Sequence, residues 1–407
     1  REIRNMMMLE RVACVLLVVP SHALSSSSSS NPTHVVRAST RFRSYETPYL
    51  VSSATSQTAT TALVFVHGFG SCGDQWRAML DAFDGDKEED LSGGVRAYAL
   101  NLLGLGRAEK PTNETYSTAL WAEQVASFAR DVVQEDRVVL VGNSIGSLAC
   151  LAAAKELLEE EEDDDKVVAG LALFNCAIGM NSKAKPDNVR EMIEFPISWL
   201  AQPLFFLVDV ILRNSEVVAQ WLFDKVRDRD AIRRVLVEGG VYAAADRVDD
   251  ALLDMFLEPA QDDGAREAFV AVVTGDPGPR PEALVHNLIR RSQHTFSRDD
   301  DDADDDTTSS SLRPQLHKSL PIGVFWGDRD PVTPIDGPVG RFFRRKAAED
   351  SAAAASEQDA SVSFSEEDHP SSGGVAFDFT VLPDTGHCPF DDRPELALAA
   401  LRDWLQR

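Results

Sequence analysis

The 407-residue chain is short of cysteine, of basic side chains and of long apolar runs, and each shortage excludes something. Its five cysteines stand at 14, 72, 150, 176 and 388, with no CxxC pair and no Cys/His spacing suited to a metal. A disulfide framework is therefore not expected, which favours a reducing compartment. Only 40 Lys and Arg face 66 Asp and Glu, a formal net charge of −26. Sequence-independent binding of nucleic acid needs cations to displace counterions from phosphates, so no nucleic-acid partner is expected. An anionic membrane would not attract the chain either. The run Val12 to Val19 has eight residues, and Ile197 to Leu212 has sixteen with Pro203 and Asp209 inside it. A bilayer-spanning helix needs roughly 20 apolar residues, so no transmembrane span is expected in the mature chain.

What is present suits a folded body. Hydrophobic residues make up 43% of the chain, enough at this length for one large or two medium cores. The negative charge gathers in four runs: Asp84 to Asp90, Glu159 to Asp165, Asp299 to Asp306 and Glu349 to Asp368. Their net charges of −4, −7, −7 and −7 leave −1 for everything else. Like charges in series repel and pack poorly, so each run reads as a solvated loop insertion in a nearly neutral body.

The beginning of the chain has its own composition. Arg4 and Arg11 precede Val12 to Val19, and Pro20-Ser21-His22-Ala23 follows, the charged, apolar and small-residue order of a signal peptide. Ser25 to Ser30 and then Arg37, Arg41 and Arg43, with no acid until Glu46, match an organelle transit peptide. Residues 1–60 are therefore expected to be a targeting leader and disordered segment, addressed to a plastid bounded by extra membranes. The alternative is the secretory pathway.

Beyond it, short β-branched runs alternate with helical patterns, as in a mostly parallel sheet with crossover helices. Ala62 to Val66, Val95 to Leu100, Val138 to Val141, Val167 to Phe174, Ile322 to Trp326 and Phe377 to Leu382 read as strands. Trp121 to Val133 and Ser147 to Leu158 read as helices. From about 180 to 291 no strand pattern appears, but Phe195 to Leu212 and Trp221 to Val226 are apolar and helical. The expected organisation is an α/β body in two parts, 61–179 and 292–407, interrupted by a helical lid over 180–291. Functional loops should lie at the carboxyl ends of the strands.

Four motifs fall at those ends. Gly142-Asn143-Ser144-Ile145-Gly146 fits G-x-S-x-G between a strand and a helix, the setting that exposes a serine nucleophile on a tight elbow. His67-Gly68-Phe69-Gly70 follows the first strand of the body. Acyl transfer places negative charge on a carbonyl oxygen, and the Phe69 and Ile145 amides are the expected oxyanion-hole pair. His67 reads as a loop-ordering residue and Trp76 as packing. Trp326-Gly327-Asp328-Arg329-Asp330-Pro331 offers two carboxylates to orient a histidine. Asp330, further out and stiffened by Pro331 and Pro334, is preferred, leaving Asp328 to bond the backbone of its own turn. Asp384-Thr385-Gly386-His387-Cys388-Pro389 puts His387 where a general base could reach Ser144, with Cys388 packing beneath the loop. The chain order Ser144, Asp330, His387 is that of nucleophile, acid and base in an elbow-type hydrolase.

GNSIG, WGDRDPVTP and PDTGHCPFDDRPE together resemble the α/β-hydrolase superfamily over Thr61 to Arg407, and more narrowly its chloroplast-type, pheophytinase-like branch. Asn101 to Gly106, Leu120 to Gln124 and Thr274 to Pro281 support the likeness. The resemblance implies a Ser/His/Asp hydrolase with no metal and no organic cofactor, acting on a small-molecule ester. Phe195, Trp199, Phe205, Phe206, Trp221 and Phe223 in the lid point towards a hydrophobic, phytyl-type ester, although packing of lid on body would use the same residues. Members of the family commonly carry Asp where Asn101 stands and Gly where Ser147 stands. Epoxide hydrolases and haloalkane dehalogenases of this fold need a carboxylate at position 144. Cofactor-free C–C hydrolases and haloperoxidases use the same triad, and receptors of the family bind apolar ligands with little turnover.

Overall fold

The computed structural model describes residues 35–52, 59–83, 94–160, 167–181, 183–184, 202–301, 319–360 and 374–407. The signal-like and serine-rich stretches, the whole run Asp84 to Asp90, most of the runs from Glu159 and from Asp299, the last part of the run from Glu349, Phe195 and Trp199 lie outside the described residues.

Eight strands form one sheet: β1 (Val35–Phe42), β2 (Tyr45–Ser52), β3 (Thr61–Val66), β4 (Val95–Leu100), β5 (Arg137–Asn143), β6 (Val167–Phe174), β7 (Ser319–Gly327) and β8 (Gly374–Leu382). Their order is β1-β2-β4-β3-β5-β6-β7-β8. β1 pairs antiparallel with β2, and β2 with β4, while every other pairing is parallel. The central strands read as almost unbroken apolar runs because both faces are covered. Side chains alternate between the two layers: Val64 and Val66 join the cluster with Trp121, Leu148 and Phe343, and Leu63 and Phe65 join the one with Trp76, Phe174 and Leu401.

The hairpin β1–β2 corrects the reading of 1–60 as leader and disordered segment for residues 35–52 alone, which form strands. Its Arg and Ser residues resemble a transit peptide in composition, yet along β1 they alternate across an edge strand, which suits polar side chains on the outer row. Arg37 and Arg107 both pair with Asp74, tying the hairpin to the body.

Helices α1 (Arg77–Ala82), α2 (Thr118–Asp131) and α3 (Ile145–Glu160) flank the first strands. Ser117 caps α2 by accepting from Leu120 N at 3.1 Å. Between β6 and β7 the described residues 202–301 hold no strand, only helices: α4 (Gln202–Asn214), α5 (Glu216–Val226), α6 (Arg229–Val237), α7 (Asp250–Leu257), α8 (Ala265–Thr274) and α9 (Pro281–Asp301). After β7 comes α10 (Pro338–Ala360), and β8 leads into α11 (Pro389–Asp392) and α12 (Pro394–Leu405). Three acidic runs expected to be loops begin inside helices, one of them with Glu159 and Glu160 at the end of α3. Asp299 to Asp301 end α9, and Glu349 to Ala360 continue α10, where Ala352 to Ala355 favour propagation over like-charge repulsion. Among the described residues no helix is long and apolar enough to cross a membrane.

Candidate active site

β5 ends in Gly142 and Asn143, and α3 starts at Ile145, so Ser144 alone makes the bend. Its φ of +56° lies in the left-handed region, which strains a residue with a Cβ by about 1–3 kcal/mol. The flanking glycines have no substitute: a Cβ on Gly146 would sit 2.3 Å from Val66 O, and one on Gly142 2.5 Å from Ser147 N. Ser144 N donates to Phe174 O (3.1 Å), and Ala177 N donates to Ser144 O (3.2 Å), so the bend is held from β6. Ser147 Oγ donates to Gly142 O at 2.9 Å, so the hydroxyl that stands where glycine is usual finds a backbone acceptor.

The loop after β3 lies directly against the elbow. A Cβ on Gly68 would stand 3.2 Å from Ser144 Cβ and 3.1 Å from Asn143 Oδ1, so this glycine permits the close approach that brings Phe69 beside Ser144. Ile145 opens α3, whose amino end favours negative charge. His67 is fully buried. Its Nδ1 donates to Gly68 O (2.8 Å) and its Nε2 accepts from Leu102 N (3.1 Å), which fixes a neutral ring. Burial pushes its pKa down to about 4 against the opposing pull of the Gly68 carbonyl. His67 therefore joins the loops after β3 and β4, as the loop-ordering reading expects. Asn101 accepts from Gly73 N and Arg107 N and donates from Nδ2 to Pro48 O (2.8 Å) in β2. An aspartate there would have no proton for Pro48.

Asp330 and His387 meet as the spacing predicts, with His387 Nδ1 2.8 Å from Asp330 Oδ2. Asp330 also accepts from Asn175 Nδ2 (2.6 Å), Thr333 Oγ1 (2.5 Å), Val332 N (2.7 Å) and Thr333 N (3.1 Å). Burial raises its pKa, but His387, Thr333 and Asn175 outweigh that and hold it below the ordinary carboxylate value. Ser144 is 8% exposed and His387 7%, so both are buried but for a small part of their surface. Asn143 Nδ2 donates to His387 O (3.0 Å), binding the histidine loop to the residue beside Ser144. Asp328 accepts from Thr385 N (3.3 Å), so it bonds the neighbouring histidine loop rather than its own turn. Cys388 is buried, and burial lifts its thiol far above the usual range, leaving it inert.

Several supporting residues escaped the motif reading. Asn175 has φ +44°; its Oδ1 accepts from Gly327 N while its Nδ2 donates to Asp330. Its signal was an Asn directly after a strand, a residue type tolerant of the left-handed region. Thr333, three residues after Asp330, was legible as an Asp-led turn. The brace of the histidine loop by residues 241–244 left no signal, because it arrives from a distant helical segment. Val241 O accepts from His387 N (2.8 Å), and Asp392 accepts from Ala243 N, Ala244 N and Gly386 N at 3.0, 2.8 and 2.7 Å.

The arrangement can make a serine nucleophilic. An acceptor-held imidazole keeps its other nitrogen for a proton, and the serine stands between the Gly68 loop and the amino end of α3. Among the described residues no group of three or more His, Cys, Asp or Glu side chains is placed to hold a metal. An open cleft of about 730 Å³ between α4 and residues 274–283 is lined by none of Ser144, Asp330 and His387, and the chemistry, not the volume, marks the candidate site.

Solved structures share the whole architecture at low identity. Cfl2 from Burkholderia cenocepacia is 15% identical at TM-score 0.54, with 91% of this chain and 96% of that one covered. The epoxide hydrolase CorEH is 12% identical at TM-score 0.53, covering 91% and 98%. The Cif epoxide hydrolase from Acinetobacter nosocomialis is 13% identical at TM-score 0.51, covering 92% and 90%. No curated protein matches the chain in sequence. At these identities the likeness establishes the α/β-hydrolase fold alone, but the profile of the alpha/beta hydrolase family matches residues 63–401, and the chain belongs to that family.

Proposed function

We propose that the chain is a serine hydrolase of carboxylic esters, with Ser144 as nucleophile, His387 as base and Asp330 as its orienting acid. The observation that carries this reading is the strained Ser144 elbow, backed by a histidine loop whose ring is already bonded to Asp330 at 2.8 Å. His387 takes the Ser144 proton as the oxygen attacks the ester carbonyl. The Phe69 and Ile145 amides receive the oxyanion, the alcohol leaves with the proton from His387, and water activated by His387 releases the acid. Epoxide hydrolases of this fold, which the structural neighbours include by name, need a carboxylate where this chain has Ser144.

The helices between β6 and β7 serve as a lid in this proposal, and the substrate is a hydrophobic ester of the phytyl type. An aromatic line supports the apolar preference: the Phe69 ring lies 6.1 Å from Phe269, and Phe269 lies 5.5 Å from Phe223 in α5. Wild type and Ser144→Ala are compared by fluorophosphonate labelling and by hydrolysis of p-nitrophenyl and phytyl esters. The expected result is labelling of wild type alone and loss of turnover on the order of 10⁶-fold in the variant. An alanine variant that kept most of its ester hydrolysis would sink the proposal.

A further inference from the structure

A buried line of side chains crosses beneath the candidate site. Ser71 Oγ donates to Gln75 Oε1, Gln75 Nε2 donates to Tyr242 Oη (2.7 Å), and Tyr242 Oη donates to Asp391 Oδ2 (2.6 Å). All four residues are buried. The direction is fixed by chemistry: the phenol accepts from the amide, so its single proton goes to the carboxylate. The two ends are the two loops that acyl transfer has to keep in register. Ser71 stands two residues after Phe69, and its amide donates to Gly68 O (3.4 Å). Asp391 stands four residues after His387 and lies 3.8 Å from Arg77 and 3.7 Å from Arg247. Tyr242, in the middle, belongs to neither loop. Its neighbours grip the histidine loop through the backbone, with Val241 O on His387 N and Ala243 N and Ala244 N on Asp392. A Cβ on Gly386 would sit 2.3 Å from Val241 O, so the two segments touch there.

We infer that Tyr242 is a positioning residue: its hydroxyl sets the spacing between the loop bearing Phe69 and the loop bearing His387, reaching both from the helical segment. This rests on the reading of Ser144, His387 and the Phe69 amide as reacting groups. Removing the phenol hydroxyl takes from Asp391 its donor at 2.6 Å, leaving Arg77 and Arg247 at 3.8 and 3.7 Å, and takes from the Gln75 amide its acceptor. A loop displaced by about 1 Å is enough to slow a positioned reaction about 100-fold.

The test uses the full chain. Tyr242→Phe is assayed for kcat and KM on a p-nitrophenyl ester, and amide hydrogen exchange is followed in residues 67–76 and 384–392. Positioning predicts that kcat falls roughly 10- to 100-fold while KM moves less than about threefold. Both loops should exchange at least about tenfold faster together, with β3 and β5 unchanged. Ser71→Ala, which cuts the line at its far end, should move the same two readouts in the same direction, and combining it with Tyr242→Phe should add little. If Tyr242→Phe does not fold, Ser71→Ala alone carries the test. Unchanged exchange in both loops overturns the inference, and so does faster exchange with wild-type kcat, which would leave Tyr242 a packing role only. A wild type without Ser144-dependent turnover defeats the ester reading instead, and exchange alone then decides whether the loops are coupled.

Discussion

Helices α4 and α5 and the stretch from α6 to α7 lie in the same helical segment, yet they are attached to the protein in opposite ways. α4 and α5 are mostly apolar, but only Leu212, Ala219, Leu222 and Phe223 among their large and small hydrophobics are buried, the first three in a small cluster of their own with Phe269 and Val273. Phe206 is 70% exposed and Trp221 49%. α6 carries Arg229, Arg233 and Arg234 and looks less like a core helix, but Leu236, Tyr242, Val248, Leu252 and Leu253 enter the cluster that holds Phe65, Trp76 and Phe174. Apolar composition therefore does not identify the anchored half. Attachment follows from which residues reach the sheet and which backbone groups meet the histidine loop. The candidate base is braced by the polar-looking half.

The strongest way to sharpen this contrast is to disturb the braced side at its acid. Asp330→Asn keeps the volume but turns an acceptor towards a donor, so His387 loses the partner that fixes its tautomer. Turnover of a p-nitrophenyl ester should fall on the order of 10⁴-fold, with KM little changed. A decrease under about tenfold would mean that Asp330 does not orient the base.

The body of the fold could be read before any coordinates, for a physical reason. Buried strands such as Val167–Phe174 announce themselves by an unbroken run of apolar and small residues, and the elbow by glycines that no other residue can replace. The Asp330–His387 pair was legible because each residue sits on a short turn after a strand. The hairpin β1–β2 was not, since its edge position allows the Arg and Ser residues that also mark a leader. Nor was the role of Asn175, Tyr242 or Asp392, because their partners lie far off in sequence: 155 residues separate Asn175 from Asp330, and 149 separate Tyr242 from Asp391. The aromatics between β6 and β7 were legible as residues but not as contacts, and Phe206 and Trp221 are largely exposed.

His67 gives a second, smaller test of the braced side. In the folded chain its pKa is pushed down to about 4, whereas an unfolded histidine titrates near 6.5. Between those values the unfolded state binds the extra proton, so stability is complete above about pH 6.5 and falls as pH drops towards about 4. The loss across that window is about 3 kcal/mol. Asp330, with its pKa held below the ordinary value, contributes its own loss only at lower pH. Urea midpoints at pH 7 and pH 4.5 should therefore differ less in His67→Gln than in wild type, even though the variant is weaker at pH 7. Equal pH dependence in the two proteins would show that His67 is not held neutral.

The smallest effect belongs to the outer helices. Phe206→Ser removes a large aromatic side chain, a change that costs about 3–5 kcal/mol when an aromatic is truncated to alanine in a core. Here most of the ring already meets water, so little apolar area is lost and the urea midpoint should move by no more than about 0.5 kcal/mol equivalent. Truncating Leu253, which is buried with Leu252 in the cluster that holds Phe65 and Trp76, is the matched opposite and should cost about 2–5 kcal/mol. Should Phe206→Ser destabilise the chain as much as Leu253→Ala, α4 would be packed as firmly as α7. The division of the segment into a braced and a loosely attached half would then be wrong.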